Sequence, residues 1–334
     1  MTQKCLITLK DIPERNSNPR MRDADARKLY GTTRFSGRLA VTRKELFAEG
    51  VKTVKGLSIS GVQQKLSMRF DDAKNTLVPT DTQGAFIIKP SPDQYPNCAE
   101  MEHLGMLISK ALGINTAQCA LIEFHDGEKA YVTRRFDRDH GVTDKRPMED
   151  LCSLSDFTKD DKYESSYESA GLILKEATGG KLSVMLDYFT RILAAYLMGN
   201  EDLHLKNFSV IRESGDTGLF FPRLSPNYDC VPTIVYEISN LGYLAMPLME
   251  AERQGKHSEA YSYFGYYTQQ DFLKLGESLG LNRKSVLACI DNIRKKMADI
   301  RPLIDSADIP KAFKVHLLET VNRRENALQA HLMR

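Results

Sequence analysis

The octet N-E-D-L-H-L-K-N at residues 200–207 follows, across Gly199, the apolar run I-L-A-A-Y-L-M at 192–198. It gathers two acids, a histidine, a lysine and two asparagines into eight positions. Upstream, Met185, Phe189, Ile192, Leu193, Tyr196 and Leu197 recur at helical spacing, and Gly199 reads as the stop, so a buried helix over 183–198 is expected. Downstream, F-S-V-I at 208–211 reads as a short strand, and Y-D-C at 228–230 ends a turn at Asp229. The densest chemistry in the chain therefore hangs off a buried helix, on a loop that a strand follows at once.

The order of groups on that loop has a chemical meaning. An acid, Asp202, an asparagine five residues on, Asn207, and a further acid, Asp229, reproduce the order of a kinase catalytic loop and its metal-binding acid. Phosphoryl transfer needs one carboxylate beside the acceptor hydroxyl. It also needs a carboxylate and an amide oxygen as hard ligands that hold Mg²⁺ against the triphosphate of ATP. In this reading Asp202 is the base, Asn207 and Asp229 hold metal, and Lys206 neutralises the moving phosphate. Asp and Asn are also common in loops as caps and turn formers, so the spacing gains weight only from its company. That company is Lys89, near the end of a β-prone run G-A-F-I-I-K-P, with Glu102 on the next expected helix, the pair that grips the α- and β-phosphates in kinases.

Two other chemistries can be read in the octet. His204 beside Asp202 resembles a metal ligand or general base, but no second histidine lies at ligand spacing. Its expected role is to hold the loop by hydrogen bonds, and with Lys206 it is counted in the nucleotide-binding surface. G-N-E-D at 199–202 is also reminiscent of two-metal phosphoesterases, which require an upstream D-x-H and a downstream histidine cluster that the chain lacks before His257.

Composition limits the alternatives. The 334 residues are 42% hydrophobic and 27% charged with a net charge of +2, which describes an ordinary globular chain rather than a disordered one or a nucleic-acid coat. The first 50 residues carry 11 Lys/Arg against 6 Asp/Glu, with P-E-R-N-S-N-P-R-M-R-D reading as an exposed loop, so residues 1 to about 55 are expected to form an arm or docking segment. Six scattered cysteines form no C-x-x-C or Cys/His cluster and read as reduced thiols. The N-terminus lacks a signal-peptide core and no apolar run reaches about 18 residues, so a cytoplasmic location without membrane contact is expected.

The remaining pattern divides in two. L-S-I-S-G-V-Q-Q-K-L-S-M-R-F at 57–70 suggests strand, tight turn and strand; 99–114 a helix stopped by Gly113; and 119–124 and 129–139 two more strands. Beyond about residue 138 the pattern turns helical. The expected fold class is α+β, a bilobal protein-kinase-like fold: a basic segment over 1–56 belonging to the N-lobe, the rest of a β-rich N-lobe over 57–137, and a helical C-lobe over 138–334.

Taken together and in order, S-I-S-G-V-Q-Q-K-L, F-I-I-K-P-S-P, A-E-M-E-H-L-G-M-L-I-S-K-A-L-G, R-R-F-D-R, G-N-E-D-L-H-L-K-N-F-S-V and N-Y-D-C resemble the HipA family of serine/threonine kinases from bacterial toxin–antitoxin systems, from about Leu57 to the C-terminus. The resemblance implies Asp202 as the catalytic acid, Asn207 and Asp229 as metal positions, Lys89 as the ATP-binding lysine, and a hinge for adenine from Tyr131 to Phe136, including Arg134. It also implies a phosphate loop of Ser58, Ile59, Ser60 and Gly61. Ser58 matches the serine that HipA-like kinases autophosphorylate, and phosphate on Ser58 or Ser60 would repel ATP's own phosphates and weaken nucleotide binding.

Only 57 residues precede Ser58, so the chain resembles the shorter HipT-type kinases. The partners implied are a HipB-like DNA-binding antitoxin, through which alone DNA is met, and a small HipS-like protein. The implied substrate is an aminoacyl-tRNA synthetase. A nucleotide-sensing subunit of a repressor complex, or a kinase acting on a small molecule, would carry the same constellation.

Overall fold

The computed structural model describes residues 3–53, 64–82, 84–138, 145–236 and 243–330, with the backbone alone for 51–53. Two compact units result: residues 1–107, 117–143 and 305–309 in one, and 108–116, 144–304 and 310–334 in the other. The expected phosphate loop, Ser58 to Gly61, lies outside the described residues.

The first unit is built on a five-stranded antiparallel sheet of β1 (Leu66–Asp71), β2 (Thr76–Pro79), β3 (Phe86–Pro90), β4 (Cys119–Glu123) and β5 (Lys129–Arg134), in the order β2-β1-β3-β5-β4. β3 is central, and its period-two alternation sends Phe86 and Ile88 into the core and Lys89 to the opposite face. Pro90 ends the strand where its missing N–H costs least.

The described residues 3–53 are not the arm or docking segment that their charge predicts. They form two helices, α1 (Asp23–Tyr30) and α2 (Arg43–Thr53). Cys5, Met21, Leu29, Phe35, Leu39 and Leu46 share one core with Met68, Ile88, Ile122 and Val132 of the sheet. Each such large apolar side chain contributes about 1.5–3 kcal/mol on burial. Tyr30 anchors the cluster, edge-on to Phe35 at 5.0 Å and 5.5 Å from Phe86. The segment also seals the free edge of β4: Leu121 N–H donates to Leu6 O (2.9 Å), Glu123 N–H to Gly37 O (2.8 Å) and Leu39 N–H to Glu123 O (2.8 Å). Within the supposed exposed loop, Asn18 is buried, donating through Nδ2 to Thr33 O and Phe35 O and accepting through Oδ1 from Arg20 and Met21 N–H. A polar residue that satisfies its whole amide internally is buried at little cost.

The second unit contains a small sheet, β6 (Met148–Asp150), β7 (Ser209–Ile211) and β8 (Arg223–Leu224), and helices α4 (Leu151–Leu154), α5 (Tyr167–Ala177), α6 (Leu182–Met198), α7 (Glu259–Phe264), α8 (Gln269–Ser278), α9 (Arg283–Lys296), α10 (Ile300–Ser306) and α11 (Lys311–Ala327); α3 (Cys98–Ala111) precedes them. α6 is the axis, with α5, α9 and α11 packed on it and every residue from Arg191 to Met198 buried. The one charge in that stretch, Arg191, is neutralised by Asp187 (3.0 and 2.8 Å) and donates to Ser225 O at 2.7 Å. Among the described residues, no helix is long and apolar enough to cross a membrane.

Candidate active site

α6 ends where the octet begins, and the ending is sterically fixed. Gly199 adopts φ 72°, and its N–H donates to Ala195 O and Tyr196 O. A Cβ here would lie 2.4 Å from Cγ2 of Ile234, so both backbone hand and packing require glycine. The next residues are tied down from below. Asn200 is buried and its Oδ1 accepts from Asp202 N–H at 3.1 Å. Glu201 N–H donates to Thr233 Oγ1 (2.9 Å), and the Glu201 carboxylate is paired with Arg324 of α11 at 2.8 Å. Arg324, almost fully buried, also donates to Tyr196 O (2.6 Å), a carbonyl of the last turn of α6, and to Tyr243 O (3.1 Å).

On this support the chemical groups separate by exposure. Asp202 has a side chain 51% exposed, and Asp229 is exposed, whereas Asn207 is buried. The Asn207 Oδ1 accepts from His204 N–H (3.1 Å), while its Nδ2 donates to Asp229 O (3.4 Å). One amide thus links the acid-bearing loop to the turn at Asp229. That turn holds Asp229 at φ 55°, in the left-handed region that non-glycine residues seldom occupy. Tyr228 steadies it: its hydroxyl donates to Lys206 O and meets Ser209 Oγ, both at 2.6 Å.

His204 holds the loop through its backbone. The backbone N–H makes the bonds, and ring Nδ1 has no hydrogen-bond partner among the described residues. Burial holds the imidazole below its ordinary pKa against the opposing pull of Asp202, whose Oδ1 lies 4.0 Å from Nε2. The neutral ring packs edge-on to Tyr163 at 5.0 Å. Lys206 is paired with Asp150 at 3.1 Å.

In the first unit Lys89 and Glu102 meet. Nζ lies 2.7 Å from Oε1, with side chains 13% and 1% exposed. β3–β5 register sets Lys89 opposite Tyr131, whose ring centroid is 5.7 Å from Nζ. Arg134, at the end of β5, donates to Lys28 O and Leu29 O of α1, and Arg135 makes a two-pronged ion pair with Asp137 across Phe136.

The donor set bears on metal. Among the described residues no group of three or more His, Cys, Asp or Glu side chains is arranged to hold a metal ion. One carboxylate with one amide oxygen, whose second lone pair stays available beside the His204 bond, suits Mg²⁺, which keeps waters and takes its other ligands from phosphate.

Asp202, Asn207, His204 and Asp229 converge in one unit and Lys89 with Glu102 in the other. The charge pattern missed Tyr163, whose hydroxyl donates to Asp202 Oδ1, and Arg324.

These features define a protein-kinase-like α+β fold. The model of the HipA-like C-terminal domain matches residues 57–300, and the chain belongs to that family of kinases. A Haemophilus influenzae protein named "Putative kinase" is 31% identical over 96% of both chains. The "Putative kinase Y4dM" of Sinorhizobium fredii is 30% identical over 54% of this chain and 46% of its own. Among solved structures, HipA of Shewanella oneidensis, in complex with HipB and its operator DNA, superposes with TM-score 0.63 at 20% identity, over 88% of this chain and 74% of that one. The Helicobacter pylori proinflammatory kinase CtkA gives 0.52 at 16% identity, over 83% and 91%.

Proposed function

We propose that the chain is an ATP- and Mg²⁺-dependent serine/threonine protein kinase of the short HipT type, acting as the toxin of a toxin–antitoxin system. The observation that carries the reading is the buried amide of Asn207, which ties the loop bearing exposed Asp202, at His204 N–H, to the backbone of exposed Asp229.

In the reaction, Asp202 accepts the proton of an acceptor hydroxyl as that oxygen forms its bond to the γ-phosphorus and ADP leaves. Asn207 and Asp229 would hold Mg²⁺, which screens the charge of the triphosphate oxygens. Lys89, oriented by Glu102, grips the α- and β-phosphates. Lys206 neutralises charge near the moving phosphoryl group once its pairing with Asp150 is shared. Arg134 and Phe136 border the adenine strip, and Ser58, Ile59, Ser60 and Gly61 supply the phosphate loop, with Ser58 and Ser60 as self-modification sites.

The relative of matching span supports the short architecture. By analogy with the HipA complex, a HipB-like protein is the proposed DNA-binding partner, and a small HipS-like protein is the proposed third component. An aminoacyl-tRNA synthetase is the proposed substrate.

The test is incubation with Mg²⁺ and labelled ATP beside Asp202→Asn and Asp229→Asn. Label on Ser58 or Ser60 that both variants abolish is the expected result. No label, from unphosphorylated protein that binds ATP, would instead favour a nucleotide-sensing subunit.

A further inference from the structure

The segment that leads into α5, with the first residue of that helix, is bound to the catalytic loop at three points. Leu205 N–H donates to Lys162 O at 3.2 Å, the Tyr163 hydroxyl donates to Asp202 Oδ1, and the Tyr167 hydroxyl donates to Leu203 O at 2.7 Å. Tyr163 is therefore held from both sides, with Lys162 Nζ 4.8 Å from its ring and the His204 ring packed edge-on. Burial, then the charge of Asp202, pushes its phenol above the ordinary value, so it keeps its proton and donates.

The consequence falls on Asp202. A carboxylate half exposed to water rotates freely about its last torsion, which has no sharp wells. The Tyr163 bond fixes that rotation and occupies Oδ1, the oxygen that also faces His204. Oδ2 has no partner among the described residues.

Resting on the kinase reading above, we infer that Tyr163 is a positioning residue for Asp202: its hydroxyl holds Oδ1 so that Oδ2 alone receives the acceptor's proton. When transfer occurs, the acceptor O–H proton passes to Oδ2, the new O–P bond forms, the bond to the β-phosphate oxygen breaks, and ADP departs. The phenol proton stays where it is.

Tyr163→Phe removes the hydroxyl and keeps the ring contacts. Losing a hydrogen bond to a charged group should lower phosphate transfer about tenfold or more while ATP affinity changes less than about twofold. Transfer is read as label incorporated into the chain, and ATP affinity by equilibrium binding. In an Asp202→Asn background, where the rotational constraint has no base to serve, Tyr163→Phe should cause no further loss.

Equal transfer by Tyr163→Phe and wild type would overturn the inference, as would an undiminished loss in the Asp202→Asn background, which marks a merely structural role. Phosphotyrosine at Tyr163 would overturn it too, making the residue an acceptor. Absence of any transfer by wild type would strike the kinase reading itself, and this inference with it.

Discussion

Lys89 and Asp202, the charges expected to meet opposite ends of one triphosphate reaction, are held by opposite means. Lys89 is mostly buried on a carboxylate that is more buried still, so its unit stores the cation with its counterion. Asp202 stands out in water on neutral hydrogen bonds made with Asn200 and Tyr163, and the backbone of exposed Asp229 is tied to Asn207. A buried charge that must wait for substrate needs a partner, because desolvating it alone costs several kcal/mol. An exposed charge needs only orientation, and at Asp202 neutral groups supply it: Asn200 Oδ1 accepts from its N–H and the Tyr163 hydroxyl donates to its carboxylate.

The contrast is breakable by mutation. The largest effect is expected at Asp202: Asp202→Asn should cut phosphate transfer by about 10²–10⁴-fold, with the thermal midpoint nearly unmoved because the side chain buries little. At the lysine side the order reverses. Glu102→Ala strands Lys89 without its charge partner and should lose about 3–5 kcal/mol in denaturant unfolding. The double variant Lys89→Met/Glu102→Leu should recover most of that stability and none of the ATP binding, which separates storage of the charge from its use.

Proton linkage sharpens the same difference. His103, on α3 one residue after Glu102, is fully buried with Nε2 at 3.1 Å from Ile7 O, and burial drives its pKa down to about 4 from 6.5. The unfolded chain binds this proton near pH 6.5, whereas the folded chain resists until about pH 4. The stability is therefore present above 6.5 and lost as pH falls towards 4. Unfolding in urea should show about 2 kcal/mol less stability at pH 5 than at pH 7.5 from this group, and His103→Leu should flatten the slope. The smallest effect is expected at Asn207→Ala, where two neutral hydrogen bonds are lost: about 1–2 kcal/mol of stability, with transfer reduced further if the proposed Mg²⁺ role of Asn207 holds.

How much of this could be read from the chain depends on the range of the interaction. α6 and the octet were legible because helical periodicity and a cluster of charge are local signals. β3, β4, β5, β7 and α3 appear where alternation and spacing placed them. The covering of the sheet by residues 1–50 was not legible. Cys5, Met21, Phe35 and Leu39 follow neither period, since an irregular segment that caps a sheet edge takes its pattern from β4 and not from itself. The supports of the loop were hidden for a similar reason. Tyr163 lies 39 residues before Asp202, and Arg324 lies 123 residues after Glu201, distances at which one sequence carries no pairing signal. His204, the most conspicuous residue of the octet, serves through its backbone and the bulk of its ring.

The edge seal around β4 has a consequence for biosynthesis. Arg38 donates to His125 O across 87 residues of chain, so the first fifty residues leave the ribosome well before the strand that covers them exists. At ordinary elongation rates that interval is on the order of ten seconds. For that time Met21, Phe35 and Leu39 lack the part of their core that β4 and β5 supply, which makes this segment of the nascent chain a client for whatever shields apolar surface near the exit tunnel.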